Sequence, residues 1–156
     1  LGTNYSKTKN IDVQPDTLVW YDLPVGTVTI DGRTTVMTSQ KEEIPVEGLY
    51  RKEMLAQRDK YAAFLYGNNG LTVIPSENNL NHQEGKTSRV LLIKDSYGNC
   101  LAPFLTYSYD EVYVVDLRSL PMKLSDLVSQ TQFDDIWILY NFTSFQQDKD
   151  LARITF

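Results

Sequence analysis

Three apolar runs recur at a regular interval in the C-terminal half of the chain. They are Val90-Leu-Leu-Ile93, Glu111-Val-Tyr-Val-Val115 and Asp135-Ile-Trp-Ile-Leu139. Helical patterns lie between them, at about Asn99–Tyr107 and Lys123–Gln130, and a third, Ser144–Ile154, follows the last run. A near-continuous apolar strand has no solvated face, so both sides of its sheet must be covered. Alternation with helices predicts α/β architecture in three layers: a largely parallel sheet with helices on both faces. Right-handed crossovers would align the three strands, so their C-terminal ends share one edge. In open α/β sheets ligands bind at that edge. Ser96, Asp116 with Arg118, and Asn141 have that address.

The 156 residues fit a single domain with an ordinary core. Residues 1–56 read as a β-hairpin-rich part of that domain. Thr17–Tyr21, Thr27–Ile30 and Thr34–Thr38 are rich in β-branched and aromatic residues, with turn signals at Pro24-Val-Gly26 and Asp31-Gly32. Residues 57–156 read as the α/β part. Asp59–Leu65 suits a short helix ended by Gly67-Asn-Asn-Gly70; Leu71–Ile74 suits a strand, and the polar stretch Pro75–Ser88 an exposed loop.

The formal charge of −5, with no basic stripe, argues against a nucleic-acid partner. No apolar run approaches the roughly 18–20 residues that span a bilayer, so no transmembrane segment is expected. Cys100 is the single cysteine and His82 the single histidine. No intramolecular disulfide and no two-histidine metal site can be built from them, and neither a metal nor a cofactor is expected. The chain opens on Leu1 without a signal peptide, which suggests a piece of a longer protein.

Ser96 is the sharpest chemical candidate. It follows a buried strand and Asp95, and Gly98 lets the chain turn at once. A serine on such a turn lies beside backbone N–H groups that can hold an oxyanion, Gly98 among them. The pattern is not G-x-S-x-G, and helix N-cap is the plainer use of such a serine. Lys94 should reach solvent. Asp116 and Arg118 suit an ion pair, although Arg118 could hold a substrate carboxylate. Asn141 has the position of an oxyanion donor or of a turn residue, in an Asn-Phe-Thr sequon. His82 sits in a polar loop and reads as a solvated histidine, unless it swings in as the base for Ser96. Tyr107, Tyr109, Tyr113 and Tyr140 suit strand and helix faces, or an aromatic platform for a sugar.

Several blocks, in order, resemble the C-terminal part of the DHHW proteins, bacterial proteins of the SGNH-hydrolase type related to alginate-acetylation proteins. The blocks are Gly2–Lys7, Tyr61–Asn68, Leu91–Asn99 with Pro103–Leu105, Val114–Arg118 and Leu139–Asn141. The resemblance implies an SGNH-like, flavodoxin-like fold with Ser96 as nucleophile and Gly67 and Asn68 near the oxyanion hole. It implies an esterase or O-acyltransferase acting on an acylated cell-envelope glycan or another small acyl ester, outside the cell or on the envelope of a Gram-positive bacterium. A histidine oriented by an aspartate would move the proton. In the family the Asp-His-His-Trp motif supplies both, and this sequence does not contain it. The expectation is therefore a C-terminal segment, inactive alone, whose exposed sheet is covered by the missing half or by a second copy. The rival expectation is a non-catalytic domain that binds a glycan or a partner.

Overall fold

The computed structural model describes residues 12, 14 and 17–154; the Gly2–Lys7 block lies outside them. Seven strands are described: β1 (Thr29–Ile30), β2 (Thr35–Met37), β3 (Glu43–Pro45), β4 (Leu71–Pro75), β5 (Arg89–Lys94), β6 (Glu111–Val115) and β7 (Asp135–Leu139). The α-helices are short, α1 (Leu124–Gln130) and α2 (Phe142–Gln147). Five strands form one mixed sheet in the order β1-β4-β6-β5-β7. The three apolar runs are its parallel part, with β5 between β6 and β7. Antiparallel β4 joins the outer side of β6, and β1 joins β4.

Strand β5 organises the core. Val90, Leu91, Leu92 and Ile93 are all fully buried, each stabilising the fold by about 1.5–3 kcal/mol. Their side chains alternate between the two faces. Val90 and Leu92 join Ile74, Val112 and Val114 on one face, and Leu91 and Ile93 join Val115 on the other. The second face is covered by α1, through Leu124 and Leu127. The first is covered by Leu23, Val28, Leu49 and Leu65 and by Ala102 and Leu105. That covering is loop and 3-10 turn, so the expected helical layer on both faces is found on one only.

The reason lies in the segment after β5. Asn99–Tyr107, expected as a helix, folds as two 3-10 turns, Ser96–Cys100 and Ala102–Tyr107. Pro103 lacks the N–H that a helix interior needs. The expected helix at Asp59–Leu65 is likewise a 3-10 turn, Lys60–Ala63. The third pattern begins earlier than expected, at Phe142, and after α2 continues as a 3-10 turn, Lys149–Arg153.

The N-terminal third differs from the expected chain of hairpins. Thr17–Tyr21 forms no strand; Trp20 instead packs on the rings of Tyr50 and Phe64. Asp31-Gly32 does make a tight turn, with φ of 49° and 75°, but β2 pairs with β3 rather than back onto β1. Pro24–Gly26 does not turn a hairpin: Val25 bridges to Ser76, and the Gly26 N–H donates to the Pro75 carbonyl.

At the other side of the sheet β7 is an edge. Ile136, Trp137 and Ile138 are 40%, 43% and 51% exposed, on both faces of the strand. Phe142 and Phe145 of α2, close behind it in the chain, are exposed as well.

Candidate functional site

The C-terminal ends of β5, β6 and β7 meet at one edge, as expected. Antiparallel β4 adds what the sequence pattern did not show. Leu71 at its start pairs with Val115 at the end of β6, so the preceding loop, Gly67–Gly70, is delivered to the same edge. The Asp116 N–H donates to the Gly70 carbonyl at 3.3 Å.

That loop is held in a costly conformation. Leu65 and Tyr66 have φ of 51° and 59°, and Gly67 has 110°. The first two side chains resist the left-handed region by about 1–2 kcal/mol each, and the third position favours glycine. Tertiary bonds impose the shape. The Leu65 N–H donates to the Leu49 carbonyl at 2.9 Å. The Glu47 N–H donates to the Tyr66 hydroxyl at 2.7 Å, and Asn69 Nδ2 to the Leu65 carbonyl at 2.6 Å.

Ser96 is half-buried on the first turn after β5. Neither its hydroxyl nor its N–H has a partner among the described residues. The N-cap is Asp95, whose Oδ1 accepts the Tyr97 N–H at 3.0 Å; capping does not fall to Ser96. The other oxygen of Asp95 accepts the backbone N–H of Asn141 at 3.0 Å and its Nδ2 at 2.5 Å. Asn141 also caps α2 through the Ser144 N–H, and its Nδ2 reaches Ser144 Oγ. Its amide is thus committed to structure, the turn use weighed above.

Lys94, just before this turn, and Asn99, within it, grip Asn68. Lys94 Nζ donates to Asn68 Oδ1 at 3.1 Å, and Asn99 Nδ2 donates to the same oxygen at 3.1 Å and to the Gly67 carbonyl at 3.2 Å. Lys94, expected in solvent, is 2% exposed. The cause is Gly98: a Cβ there would lie 2.5 Å from Lys94 Cβ, so the turn closes directly over the lysine stem. Burial pushes the Lys94 ammonium down to about 8, against the pull of Asp116 at 3.4 Å. Asp116 is fully buried and is chelated by Arg118, Nη2 to Oδ2 at 2.5 Å and Nε to Oδ1 at 2.8 Å. Burial alone would raise the Asp116 carboxyl, but the bonds from Arg118 and the charge of Lys94 hold it below the ordinary range. Arg118 is 44% exposed beyond this pair.

Among the oxyanion candidates, geometry separates the open donors from the occupied ones. The Gly98 N–H is bonded to the Asp95 carbonyl and the Gly67 N–H to the Phe64 carbonyl. Among the described residues the Ser96 N–H and Asn68 Nδ2 remain open, and Asn68 is exposed. Lys94 and Asn99 as anchors of Asn68 were missed by the sequence reading. Both stand in the Leu91–Asn99 block, which was the available signal.

His82 is at the wrong end of the sheet. Its Nδ1 lies 2.7 Å from Asp110 Oδ1, and Asp110 directly precedes β6. β5 and β6 run parallel, so this is the edge opposite Ser96, about 20 Å away at about 3.3 Å per residue. Burial raises the Asp110 carboxyl, but bonds from Asn79, Ser88 and His82 hold it well below the carboxylate range. The reading in which His82 swings to Ser96 therefore fails on distance. A cleft of about 440 Å³ lined by Ser88, Tyr109 and Asp110 belongs to that same far edge. Tyr107 and Tyr109 pack on the first core cluster, Tyr113 and Tyr140 on the second. The ring beside Ser96 is Tyr97, which is 45% exposed and edge-on to Tyr61 at 5.7 Å.

Fold and site define an α/β protein with a serine on the first turn after its central parallel strand, beside an anchored asparagine. Solved structures share the architecture. PatB1 from Bacillus cereus aligns with a TM-score of 0.54 at 19% identity, over 79% of this chain and 38% of that one, in a structure with a sulfonyl adduct. A second PatB1 structure gives the same score and identity over 37% of its length. A DHHW family protein from Eubacterium siraeum aligns with a TM-score of 0.51 at 23% identity, over 60% of this chain and 29% of that one. The chain thus spans well under half the length of these structures. No curated protein matches it. The chain belongs to the DHHW protein family, whose model matches residues 1–115.

Proposed function

We propose that the chain is the serine-bearing part of an SGNH-like esterase or O-acyltransferase. The observation that carries this is Ser96, with hydroxyl and N–H both unpartnered among the described residues, between two residues that present Asn68. Ser96 Oγ attacks the acyl carbonyl while a base takes its proton. The Ser96 N–H and Asn68 Nδ2 hold the oxyanion that forms. Collapse breaks the ester bond, and the departing alcohol oxygen recovers the proton. Water then releases the acyl group from Ser96, or an acceptor hydroxyl takes it. The histidine and aspartate come from an Asp-His-His-Trp segment outside these 156 residues, docked along the β7 edge. Arg118, with its exposed half, is the candidate contact for an anionic substrate group. The family resemblance favours an acylated envelope glycan as substrate, and hence a location on or outside a Gram-positive cell. PatB1 with its sulfonyl adduct supports the chemistry, because sulfonyl reagents react with activated nucleophiles.

Among the described residues no histidine stands near Ser96, and this gives the second reading, a non-catalytic domain that binds a glycan or a partner. A serine-directed sulfonyl fluoride separates the two. The expected result is labelling of Ser96 in the full-length protein, loss of labelling in Ser96→Ala, and none in the 156-residue chain. No labelling of the full-length protein would leave the binding domain as the better reading.

A further inference from the structure

Asp116 is already balanced by Arg118, which grips both of its oxygens. The fold nevertheless buries a second cation beside it, at a cost that the depressed basicity of Lys94 records. The closer recorded partner of that ammonium is not the carboxylate at 3.4 Å but the amide oxygen of Asn68 at 3.1 Å.

We infer that Lys94 is a positioning residue, whose ammonium fixes the side-chain amide of Asn68 with its oxygen inward and its N–H2 group free for the oxyanion formed at Ser96. An ammonium only donates, so whatever faces it must accept. Asn68 turned over would set N–H2 against N–H3+, and the Asn99 amide forbids the same inversion from a second side. The bond to the ammonium also draws electrons from the amide, which strengthens the open N–H2 as a donor. Asn68 Oδ1 has two donors and Nδ2 has no partner among the described residues. The inference rests on the proposed roles of Ser96 and Asn68.

Two measurements on the full-length protein test it. The first is the rate at which a fluorophosphonate labels Ser96. Lys94→Met keeps the stem and removes the charge, and is expected to slow labelling about tenfold. Asn68→Asp keeps both anchors satisfied but removes the donor, and is expected to slow it about 100-fold or more at a Tm no lower than that of the wild type. A wild-type labelling rate in either folded variant would overturn the inference. The second needs no variant. The Asn68 side-chain amide signals in a 15N–1H spectrum should shift as Lys94 loses its proton near pH 8, the facing groups being Asp116, Arg118 and Asp95. Signals that stay constant from pH 6 to about 10 would overturn it. If the wild-type protein is not labelled, the nucleophile reading fails, and the titration still decides whether Lys94 holds Asn68.

Discussion

Lys94 shows how one side chain can link stability to the site. Its folded-state pKa of about 8 lies below the unfolded value of 10.5. The folded protein therefore holds fewer protons than the unfolded chain between those limits, and stability rises with pH across that window. Below it, the buried charge costs the fold about 3–4 kcal/mol. Wild-type stability should rise relative to Lys94→Met between pH 8 and about 10.5, measured by urea unfolding at each pH. A flat difference would mean that the ammonium is not desolvated. Asp116 gives the same sign in an acidic window, but there it is the charged form that the fold favours. Its depressed carboxyl stabilises the fold above the ordinary aspartate range, and that contribution is lost as the pH falls through its folded value.

At the scale of elements, the site edge is stitched together by polar side chains rather than by helix packing. Asp95 joins the end of β5 to the start of α2 through Asn141. Arg153 does the same for the last 3-10 turn, donating to the Leu117, Leu120 and Met122 carbonyls beyond β6. α2 buries none of its residues, so little apolar packing replaces a lost cap. Asn141→Ala removes both the cap and the tie to Asp95. It should cost about 1–2 kcal/mol and loosen α2 ahead of the sheet. Amide hydrogen exchange should show Phe142–Gln147 losing protection while Arg89–Lys94 keeps it; equal loss in both would show that α2 and the sheet open together.

At the scale of the molecule, β7 decides how the chain behaves in solution. A parallel edge strand with apolar side chains on both faces presents unpaired N–H and C=O groups and a sticky surface. The 156-residue chain should self-associate as its concentration rises, in sedimentation velocity, and Trp137→Lys should return it to monomer. A wild-type monomer at high concentration would show that this edge needs no cover. If the proposed Asp-His-His-Trp segment covers this surface, Trp137→Lys in a protein that carries that segment should lower Tm instead.

How much was legible in the sequence depended on the range of the forces involved. β5, β6 and β7 were legible as strands within a residue of their ends, because short runs of β-branched and aromatic residues between turn signals mark strands without help from distant contacts. The parallel edge and the place of Ser96 on it followed from local pattern and crossover handedness alone. The segment after β5 was misread because a helical pattern of apolar residues did not outweigh Pro103. The N-terminal third was misread because its short strands answer to distant partners: Val25 to Ser76, β1 to β4. Lys94 shows the limit most clearly. A lysine at a strand end reads as solvated, and only the approach of Gly98 from four residues on and of Asn68 from another loop buries it. By itself the sequence determined three parallel strands and a serine at the edge they share. Tertiary structure alone decided which donors around that serine are open, because hydrogen bonds between distant loops leave no periodic trace in the chain.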